Sequence, residues 1–525
     1  MSGRGTRIAS ARERAALVVD EGSVEAWDEA VVSDDPLAFA DLRPYRERLA
    51  EAEARTGLRE SVLTGRATVA GRPVALVAAE FGFLGGSIGV ATGERVARAF
   101  ERARAERLPL VALPASGGSR MQEGTLALVQ MAKLAAAARE LRDAGLPYVV
   151  CLTDPTTGGV LASWGSLASV TFALPEALLG FAGPRVVELL TGAPLPDGVQ
   201  RAETLLAHGL LDAVVAPPDL RAAVARVLAV APPAPAAASA AAVPPAAGPP
   251  AAGPAAASLA PAERRDAWAS LGFARERRRP GARELLAAHA RDVTELRGDR
   301  AGRPDDPGCM VALARLCGHA VVAIAQRRRA DGAPPALGPA GYRKARRGMA
   351  LAAELRLPLV TIVDTPGAEL GAAAERGGVA GEIAACLAEL SALPVPTLAL
   401  LVGEGGSGGA LALLAADRVV CAEHASLGVI APEGASAILY RDLDHAPELA
   451  ATQAGASWRL AEAGIADVVV PEPRPAHEQP EAFLARLAAV VAAELPALAA
   501  ADPAARLAAR RARWRALGQP PAPPA

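Results

Sequence analysis

Four glycine-rich segments carry the residues of this chain that are best suited to chemistry. They are SGGSR (116–120), TTGG (156–159), DTPGA (364–368) and GGSGGA (405–410). Each follows an apolar, strand-like run and precedes a helical pattern, which predicts a turn at a helix N-terminus with free backbone N–H groups. Glycine lets a ligand approach such a turn closely. Two N–H groups that converge there form an oxyanion hole, which stabilises an enolate or a ureido oxygen.

The four turns form two pairs because the sequence repeats. LPLVALPASGG (108–118) matches LPLVTIVDTPG (357–367) at an offset of 249 positions, and TDPTTGGVLA (153–162) matches GEGGSGGALA (403–412) at 250. A single Gly-Gly pair is as often an ordinary tight turn as a binding site. Four of them in two matched pairs favour function, and two similar pockets predict a reaction with two bound partners.

Side chains that act as a base or a nucleophile are not expected at these turns. None of the six histidines lies in a turn, and we expect neither an H-E-x-x-H pair nor a G-x-S-x-G nucleophile turn. Asp154 and Asp364 end strands beside proline, where we expect them to cap the next turn rather than to catalyse. Nucleotide-binding fingerprints are not found, and GGSIG (85–89) is only a weak echo of one. The pattern predicts an active site built from backbone dipoles, with a bound partner as the base.

Basic residues near the turns have two interpretations. Arg120 follows the first turn, and Arg343 and Lys344 lie in the cluster GYRKARR (341–347). They could hold a phosphorylated carrier such as coenzyme A, or a carboxylate. A solvated helix face explains them equally well.

Composition limits the class of protein. The chain has 525 residues, 51% hydrophobic and 3% aromatic, with a net charge of −2, so neither a nucleic-acid partner nor a membrane location is expected. The five cysteines are odd in number and form no C-x-x-C, which disfavours a metal site or a disulfide framework. We therefore expect a reduced, cytoplasmic location.

Apolar runs alternate with helical patterns in both halves, which predicts an α/β fold with parallel sheets. Helices are expected at about 121–144 and from about 160. The predicted domains are 1–231, a Pro/Ala-rich linker at 232–261, 262–500, and a loosely ordered tail at 501–525.

At these motifs the chain resembles a known family. The first half resembles the β subunit of bacterial acetyl-CoA carboxylase carboxyltransferase through FGFLGGSIG, ASGGSRMQEG, LPYVVCLTDPTTGGV and LLGFAGPRV. The second half resembles the α subunit through ELRGDRAGRPDDP, GPAGYRKARRGM, DTPGAELG, GEGGSGGALA and APEGASAIL. Together they resemble a β–α fusion over nearly the whole chain.

The resemblance implies two tandem crotonase-like domains. It also implies carboxyl transfer from carboxybiotin, held on a separate biotin carboxyl carrier protein, to an acyl-CoA, with acetyl-CoA favoured and malonyl-CoA as product. Biotin carboxylase would be a further partner. The family mechanism has CO₂ released from carboxybiotin, and the biotin enolate then removes the α-proton of the CoA thioester. Active sites would lie between first-half and second-half domains of different copies in a homo-oligomer.

Motif position assigns roles to individual residues. Gly158 with Gly159, and Gly409 with Ala410, would be the paired oxyanion donors. The other assigned residues would orient the thioester (Gly117 and Gly118) or bind coenzyme A and biotin (Gly86, Arg120, Gly367, Gly408, Arg343 and Lys344).

The chain departs from the family in two places. Bacterial β subunits usually begin with a four-cysteine zinc ribbon, whereas no cysteine precedes Cys151 here, so no zinc is expected. Glu369 and Leu370 replace the usual Tyr-Pro after DTPGA, where an acid could alter substrate choice or weaken activity. No Met-Lys-Met site for covalent biotin is present. A malonyl decarboxylase component of the same superfamily and a non-catalytic carboxylase scaffold remain alternatives.

Overall fold

The computed structural model describes residues 10–230, 263–302, 304–453 and 455–519. The linker predicted at 232–261 lies outside these residues. The described chain divides into two units, and each contains one large sheet. The strands are β1 Glu25–Trp27, β2 Val62–Val69, β3 Arg72–Ala79, β4 Leu110–Leu113, β5 Tyr148–Leu152, β6 Thr156–Thr157, β7 Val170–Ala173, β8 Leu179–Gly180, β9 Ala213–Val214, β10 Ala290–Leu296, β11 Cys309–Leu316, β12 His319–Gln326, β13 Leu359–Thr365, β14 Thr397–Gly406, β15 Arg418–Ala422, β16 Ser426–Gly428 and β17 Val468–Val470.

Helices follow most of the strands. They are α1 Ala11–Ala16, α2 Tyr45–Thr56, α3 Val90–Ala105, α4 Gly124–Asp143, α5 Pro184–Thr191, α6 Ala202–Ala207, α7 Pro217–Val230, α8 Ala267–Arg275, α9 Ala282–His289, α10 Pro339–Leu355, α11 Ala372–Arg376, α12 Val379–Ala392, α13 Ser407–Leu411, α14 Pro432–Leu439, α15 Ala446–Thr452, α16 Ser457–Glu462, α17 Pro480–Ala500 and α18 Pro503–Ala516.

The sheet of unit 1 has the strand order β1-β2-β3-β4-β5-β7-β9. The first three strands pair antiparallel and the others pair parallel. Every residue of β4 and β5 is buried, as expected for parallel strands covered on both faces. A separate two-stranded ladder of β6 and β8 lies beyond the end of β5. This ladder positions the turn that follows β6.

The sheet of unit 2 repeats this plan. Its order is β10-β11-β12-β13-β14-β15-β17, again with an antiparallel edge and a parallel core. The end of β14 continues past the main sheet and pairs with β16. The α/β class predicted from the sequence is therefore confirmed in both halves.

The domain bounds 1–231 and 262–500 stay predictions, and the two compact units of the structure divide the described residues differently. Unit 1 consists of residues 10–123, 133–230 and 370–381, and unit 2 consists of 124–132 and the remaining described residues of the second half. Hydrogen bonds accompany both exchanged segments. The Glu375 carboxylate accepts from the Phe181 N–H at 2.9 Å within unit 1, and the Thr125 hydroxyl donates to the Leu427 carbonyl at 2.7 Å within unit 2.

Two further predictions differ from the structure. The helix expected from about 160 is a series of turns with a short 3₁₀ segment at Trp164–Ser166. The tail expected at 501–525 contains α18, whose Arg510 is buried and bound to Asp417 at 2.7 Å. The basic composition suggested a loosely ordered segment, but Arg506, Arg510 and Arg513 are buried and bind acceptors. The helix expected at 121–144 is confirmed as α4.

Helix α17 is long and apolar enough to cross a membrane by length and composition. Half of its apolar window is buried within the protein, and Phe483, Leu487, Val491 and Leu495 are among the buried side chains. This burial is typical of a core helix.

Candidate active site

The first glycine turn lies where β4 and β6 end in unit 1. Ser116 forms a parallel bridge with Thr156, and the Thr157 N–H donates to the Ser116 carbonyl at 2.8 Å. The turns 116–118 and 157–159 are consequently adjacent. A Cβ built on Gly158 would lie only 2.7 Å from the Cα of Gly118. Glycines are required here because the two backbones touch.

The free N–H groups of this turn differ from the predicted ones. The Gly158 N–H donates to the Gly180 carbonyl at 3.1 Å, so the prediction that Gly158 is an oxyanion donor is wrong. The N–H groups of Gly159 and Val160 have no acceptor within the described part of the chain. Both precede Ala162, whose N–H returns to the Gly158 carbonyl at 2.9 Å, so they belong to the first turn of a helical segment.

Gly117 and Gly118 contribute no free donor. The Gly117 N–H donates to the Gly85 carbonyl at 2.8 Å, and the Gly118 N–H donates to the Ser116 hydroxyl at 3.0 Å. Gly118 is needed for its backbone, since its φ of 121° is one that residues with a side chain rarely adopt. Orientation of a thioester by these two residues stays a prediction.

The second glycine turn, in unit 2, is built in the same way. Thr365 pairs with Gly405 as β13 and β14 end, and α13 begins at Ser407. Gly408 and Gly409 are its second and third residues, whose N–H groups have no intrahelical acceptor. Ala410 is the fourth residue, where the helical ladder begins. The structure therefore favours Gly408 with Gly409 over the predicted pair of Gly409 with Ala410.

The two turns correspond at an offset of 249 positions, not the 250 that the letters suggested. Ser116 with Thr156 and Thr365 with Gly405 form equivalent bridges. The same offset pairs the two residues of left-handed backbone conformation, Gly158 with φ 63° and Ser407 with φ 53°. Gly159 then corresponds to Gly408, and Val160 to Gly409. Glycine identity misled the alignment, since a serine occupies the left-handed position in the second half.

Sequence reasoning also missed a motif. Residues 405–409 read GGSGG and satisfy the G-x-S-x-G pattern that we did not expect, with Ser407 at a strand-to-helix turn. A nucleophilic serine needs an adjacent base. The Ser407 hydroxyl has no hydrogen-bond partner among the described residues, so the turn has the shape of a nucleophile elbow without its activating base.

Two of the glycines predicted to bind coenzyme A or biotin, Gly86 and Gly408, pack closely against their neighbours. A Cβ on Gly86 would lie 2.0 Å from the Ala115 carbonyl oxygen, and a Cβ on Gly408 would lie 3.0 Å from Cε of Met131 within unit 2. Gly367 donates to the Thr365 hydroxyl at 3.2 Å and has φ 143°. Binding of coenzyme A or biotin at Gly86, Gly367 and Gly408 stays a prediction.

The prediction that Arg120 binds a ligand is wrong for this structure. Its side chain is fully buried, and its guanidinium donates to both carboxylate oxygens of Glu60 at 2.7 Å and to Glu123 at 3.2 Å. Burial acts to lower the pKa of Arg120, but Glu60 raises it above its ordinary value. Arg120 therefore serves the interior of unit 1.

The basic cluster of α10 is also engaged. The Lys344 ammonium is buried and donates to the Cys309 carbonyl at 2.7 Å and to Asp305 at 2.8 Å, so the prediction that it binds a ligand is wrong. Arg343 contacts Asp299 at 2.7 Å and keeps 22% of its side chain exposed. A ligand contact at Arg343 stays a prediction.

The acids beside the turns have different surroundings. Asp154 accepts the Leu178 N–H at 2.8 Å, and the buried Asp364 accepts the Glu404 N–H at 3.2 Å and pairs with Arg328 at 2.5 Å. Both carboxylates accept N–H groups from other segments of the chain, so neither caps its own next turn as expected. Glu369 is largely exposed, but partial burial of its carboxyl, together with the nearby Asp306, raises its pKa.

In the described ranges, no group of three or more His, Cys, Asp or Glu residues is arranged to hold a metal ion. The absence of zinc stays an expectation. The chemistry available at the two turns is the donation of consecutive backbone N–H groups to a developing negative charge.

Comparison with known proteins gives consistent results. A family model described as acetyl co-enzyme A carboxylase carboxyltransferase-like matches residues 262–518. The probable biotin-dependent acyl-coenzyme A carboxylase beta3 subunit of Mycobacterium tuberculosis is 49% identical over 96% of this chain and 97% of its own length. The acetyl-coenzyme A carboxylase carboxyl transferase subunits beta/alpha of Parafrankia sp. is 45% identical over 97% of this chain and 86% of its own length. The solved structure of transcarboxylase 12S is 22% identical over 92% of this chain and 90% of its own, with a TM-score of 0.37.

Proposed function

Since this chain belongs to the acetyl-CoA carboxylase carboxyltransferase family and is a biotin-dependent acyl-CoA carboxyltransferase, we propose that acetyl-CoA is its acceptor and malonyl-CoA its product. Both sheet-containing units have the crotonase-like fold that the resemblance implied. Relatives named for acetyl-CoA support the choice of acceptor. The carboxyl donor would be carboxybiotin on a separate carrier protein, which arrives as a substrate.

The observation that carries the proposal is the pair of equivalent turns. Gly159 and Val160 in unit 1, and Gly408 and Gly409 in unit 2, each present two consecutive N–H groups without acceptors in the described chain. One pair would stabilise the enolate oxygen of the CoA thioester and the other the ureido oxygen of biotin. Both oxygens carry most negative charge in the transition state, so the N–H groups act most strongly there.

The turns also exclude certain roles for side chains. No base among the described residues hydrogen-bonds the Ser407 hydroxyl, and Arg120 and Lys344 are buried in ion pairs. The chain would therefore bind and polarise its two substrates, while proton removal from the thioester falls to the donor itself.

A direct assay tests the proposal. The purified full chain is mixed with a carboxylated biotin carrier and, separately, acetyl-, propionyl- and longer acyl-CoA thioesters, and carboxylated products are measured by mass spectrometry. We expect the highest kcat/KM with acetyl-CoA. A higher value with another thioester would correct the acceptor. Release of CO₂ from malonyl-CoA without any transfer would replace the proposal with a decarboxylase.

We further propose that the protein works as a homo-oligomer whose first-half and second-half turns act together from different copies. Two inactive variants, Gly158→Ala and Gly409→Ala, can be unfolded, mixed and refolded together. If the sites are shared between copies of a dimeric arrangement, mixing restores about a quarter of the wild-type rate, because half of the dimers are mixed and one of their two sites is intact. No recovery in refolded, oligomeric samples would contradict this arrangement.

A further inference from the structure

The carbonyl of Gly409 has an unusual set of partners. In a regular helix it would accept the N–H of Leu413, but that N–H donates instead to Ala410 at 3.1 Å, and the Ala412 N–H donates to Gly408 at 3.0 Å. The Gly409 carbonyl is thus left out of the backbone ladder. A buried carbonyl without a donor would destabilise the fold.

Two buried side chains satisfy this carbonyl. The Gln326 amide and the Tyr342 hydroxyl each donate to the Gly409 oxygen at 3.2 Å, and both residues are fully buried. The Gln326 amide oxygen must face the other way, because it accepts the Asp364 N–H at 3.0 Å. Burial raises the pKa of the Tyr342 hydroxyl above its ordinary value, so the hydroxyl remains a donor well above neutral pH.

Gln326 therefore connects the two backbone segments of the turn. It joins the end of β13, at Asp364, to α13, at Gly409. The same segments are in contact elsewhere, since a Cβ on Gly409 would lie 2.5 Å from the nitrogen of Ala368. The position of Gly409, and with it the direction of its N–H group, therefore depends on Gln326, on Tyr342 and on the end of β13.

The first half solves the same problem without side chains. Val160, the equivalent of Gly409, has its carbonyl satisfied by the N–H groups of Ser163 at 3.3 Å and Gly165 at 2.9 Å. The pairing of β12 with β13 and of β3 with β4 makes Ala79 the equivalent of Gln326. Gly93 is the equivalent of Tyr342, each being the fourth residue of its helix.

We infer that Gln326 and Tyr342 are positioning residues for the second oxyanion turn. They replace the missing backbone donor to Gly409 and so hold the N–H groups of Gly408 and Gly409 in the direction of the reacting oxygen. The inference rests on the proposed function, in which those N–H groups stabilise a charged transition state.

The test compares variants that remove buried hydrogen bonds to a backbone carbonyl. Tyr342→Phe and Gln326→Met remove the donors to Gly409. Thr361→Val is the matched control, because the buried Thr361 hydroxyl donates to the Leu413 carbonyl at 2.6 Å and lies beyond the turn. Gln326→Met also removes the acceptor of the Asp364 N–H, so Tyr342→Phe is the variant that matches the control in losing a single bond. Thermal unfolding and steady-state transfer to the acceptor thioester are measured for each.

We expect Tyr342→Phe to lower kcat about tenfold and Gln326→Met about a hundredfold, with KM nearly unchanged, because misdirected N–H groups are felt mainly in the transition state. Thr361→Val should lose a similar amount of thermal stability and keep the wild-type kcat. The double variant should fall no further than Gln326→Met, since both donors act on one oxygen.

Three outcomes separate the inference from the proposed function. Absence of transfer by the wild-type protein would contradict the function. Full activity of Gly408→Val would contradict the site. Inactive Gly408→Val together with normal kcat in folded Tyr342→Phe and Gln326→Met would overturn the inference alone. If Gln326→Met does not fold, the kcat of Tyr342→Phe against Thr361→Val decides.

Discussion

The two glycine turns of this protein have the same backbone plan and different supports. In the first half, the carbonyl of Val160 is satisfied by the backbone N–H groups of Ser163 and Gly165, three and five residues further along. In the second half, the carbonyl of Gly409 depends on Gln326 and Tyr342. The free N–H groups are equivalent, so the repeat has preserved the donors while changing what holds them.

The charged residues that follow the two turns also differ in their burial. Arg120 and Glu369 occupy equivalent positions, 249 residues apart. Arg120 is buried against Glu60, whereas Glu369 is exposed and its side chain has no ion-pair partner in the part of the chain that the structure describes. The residue that follows the first turn therefore stabilises the interior through an ion pair. The equivalent residue of the second turn presents a carboxyl to solvent.

The largest expected effect is a loss of kcat/KM when either glycine turn is disrupted by an added methyl group. Gly158→Ala and Gly409→Ala place a Cβ 2.7 Å from Gly118 and 2.5 Å from Ala368, which forces the paired backbones apart. Each should displace the free N–H groups of its turn and lower kcat/KM by about 10²–10³-fold, the usual effect of losing an oxyanion donor. Gly192→Ala and Gly318→Ala, at positive φ with nothing within 4 Å, should strain the backbone and keep the activity. Loss in only one half would show that only one turn is catalytic.

The next effect distinguishes the two flanks. Arg120→Met leaves the buried Glu60 carboxylate without its partner, so it should lower the free energy of unfolding by about 3–5 kcal/mol. Glu369→Gln should change it by less than about 0.5 kcal/mol, as is usual at an exposed position. Urea unfolding of both variants measures the difference. Equal losses would contradict the assignment of Arg120 to the interior.

A smaller effect concerns the left-handed residue at the head of each turn. Ser407→Gly removes the strain of a non-glycine residue at φ 53°, so it should stabilise the protein by about 1 kcal/mol and keep the activity. Ser407→Ala should also keep the activity, because the hydroxyl has no base beside it. Thermal unfolding and transfer rates provide the check. An inactive Ser407→Ala protein with its fold intact would make the serine a nucleophile.

The smallest effect is a pH dependence at the edge of the second turn. Burial and Asp306 raise the pKa of Glu369 above its ordinary 4.5, so the folded state favours the protonated form. The stabilising contribution of this carboxyl is present below pH 4.5 and is lost as the pH rises through the raised value. Melting temperatures of Glu369→Gln minus those of the wild type should therefore increase from pH 4.5 to neutral. A flat difference would show that Glu369 is fully solvated when folded.

Much of the fold was predictable because its signals are local. Apolar runs such as Leu110–Leu113 and Tyr148–Leu152 are strands in the structure, and the helix expected at 121–144 is present as α4. The tail was wrong because arginines in a basic, alanine-rich helix resemble a solvated face until acceptors are known. Asp417, which binds Arg510, lies 93 positions away in the sequence.

The site was predictable in kind and only partly in detail. Glycine spacing identified the turns, but the assignment of donors slipped by one residue at Gly158 and Ala410. Residue identity aligned glycine with glycine, while hydrogen bonding aligns Gly158 with Ser407. Arg120 and Lys344 were misassigned for a related reason, since the sequence shows a charge but not its partner.

The sequence alone determined that two related α/β halves carry matched glycine turns and that side-chain bases are scarce near them. These properties follow from residue type and spacing. Only the tertiary structure decided which N–H groups are free, which charges are buried, and that Gln326 and Tyr342 hold Gly409. Each of these features depends on a hydrogen bond between residues that are far apart in the sequence. Their separation along the chain does not show whether they are close in the folded protein.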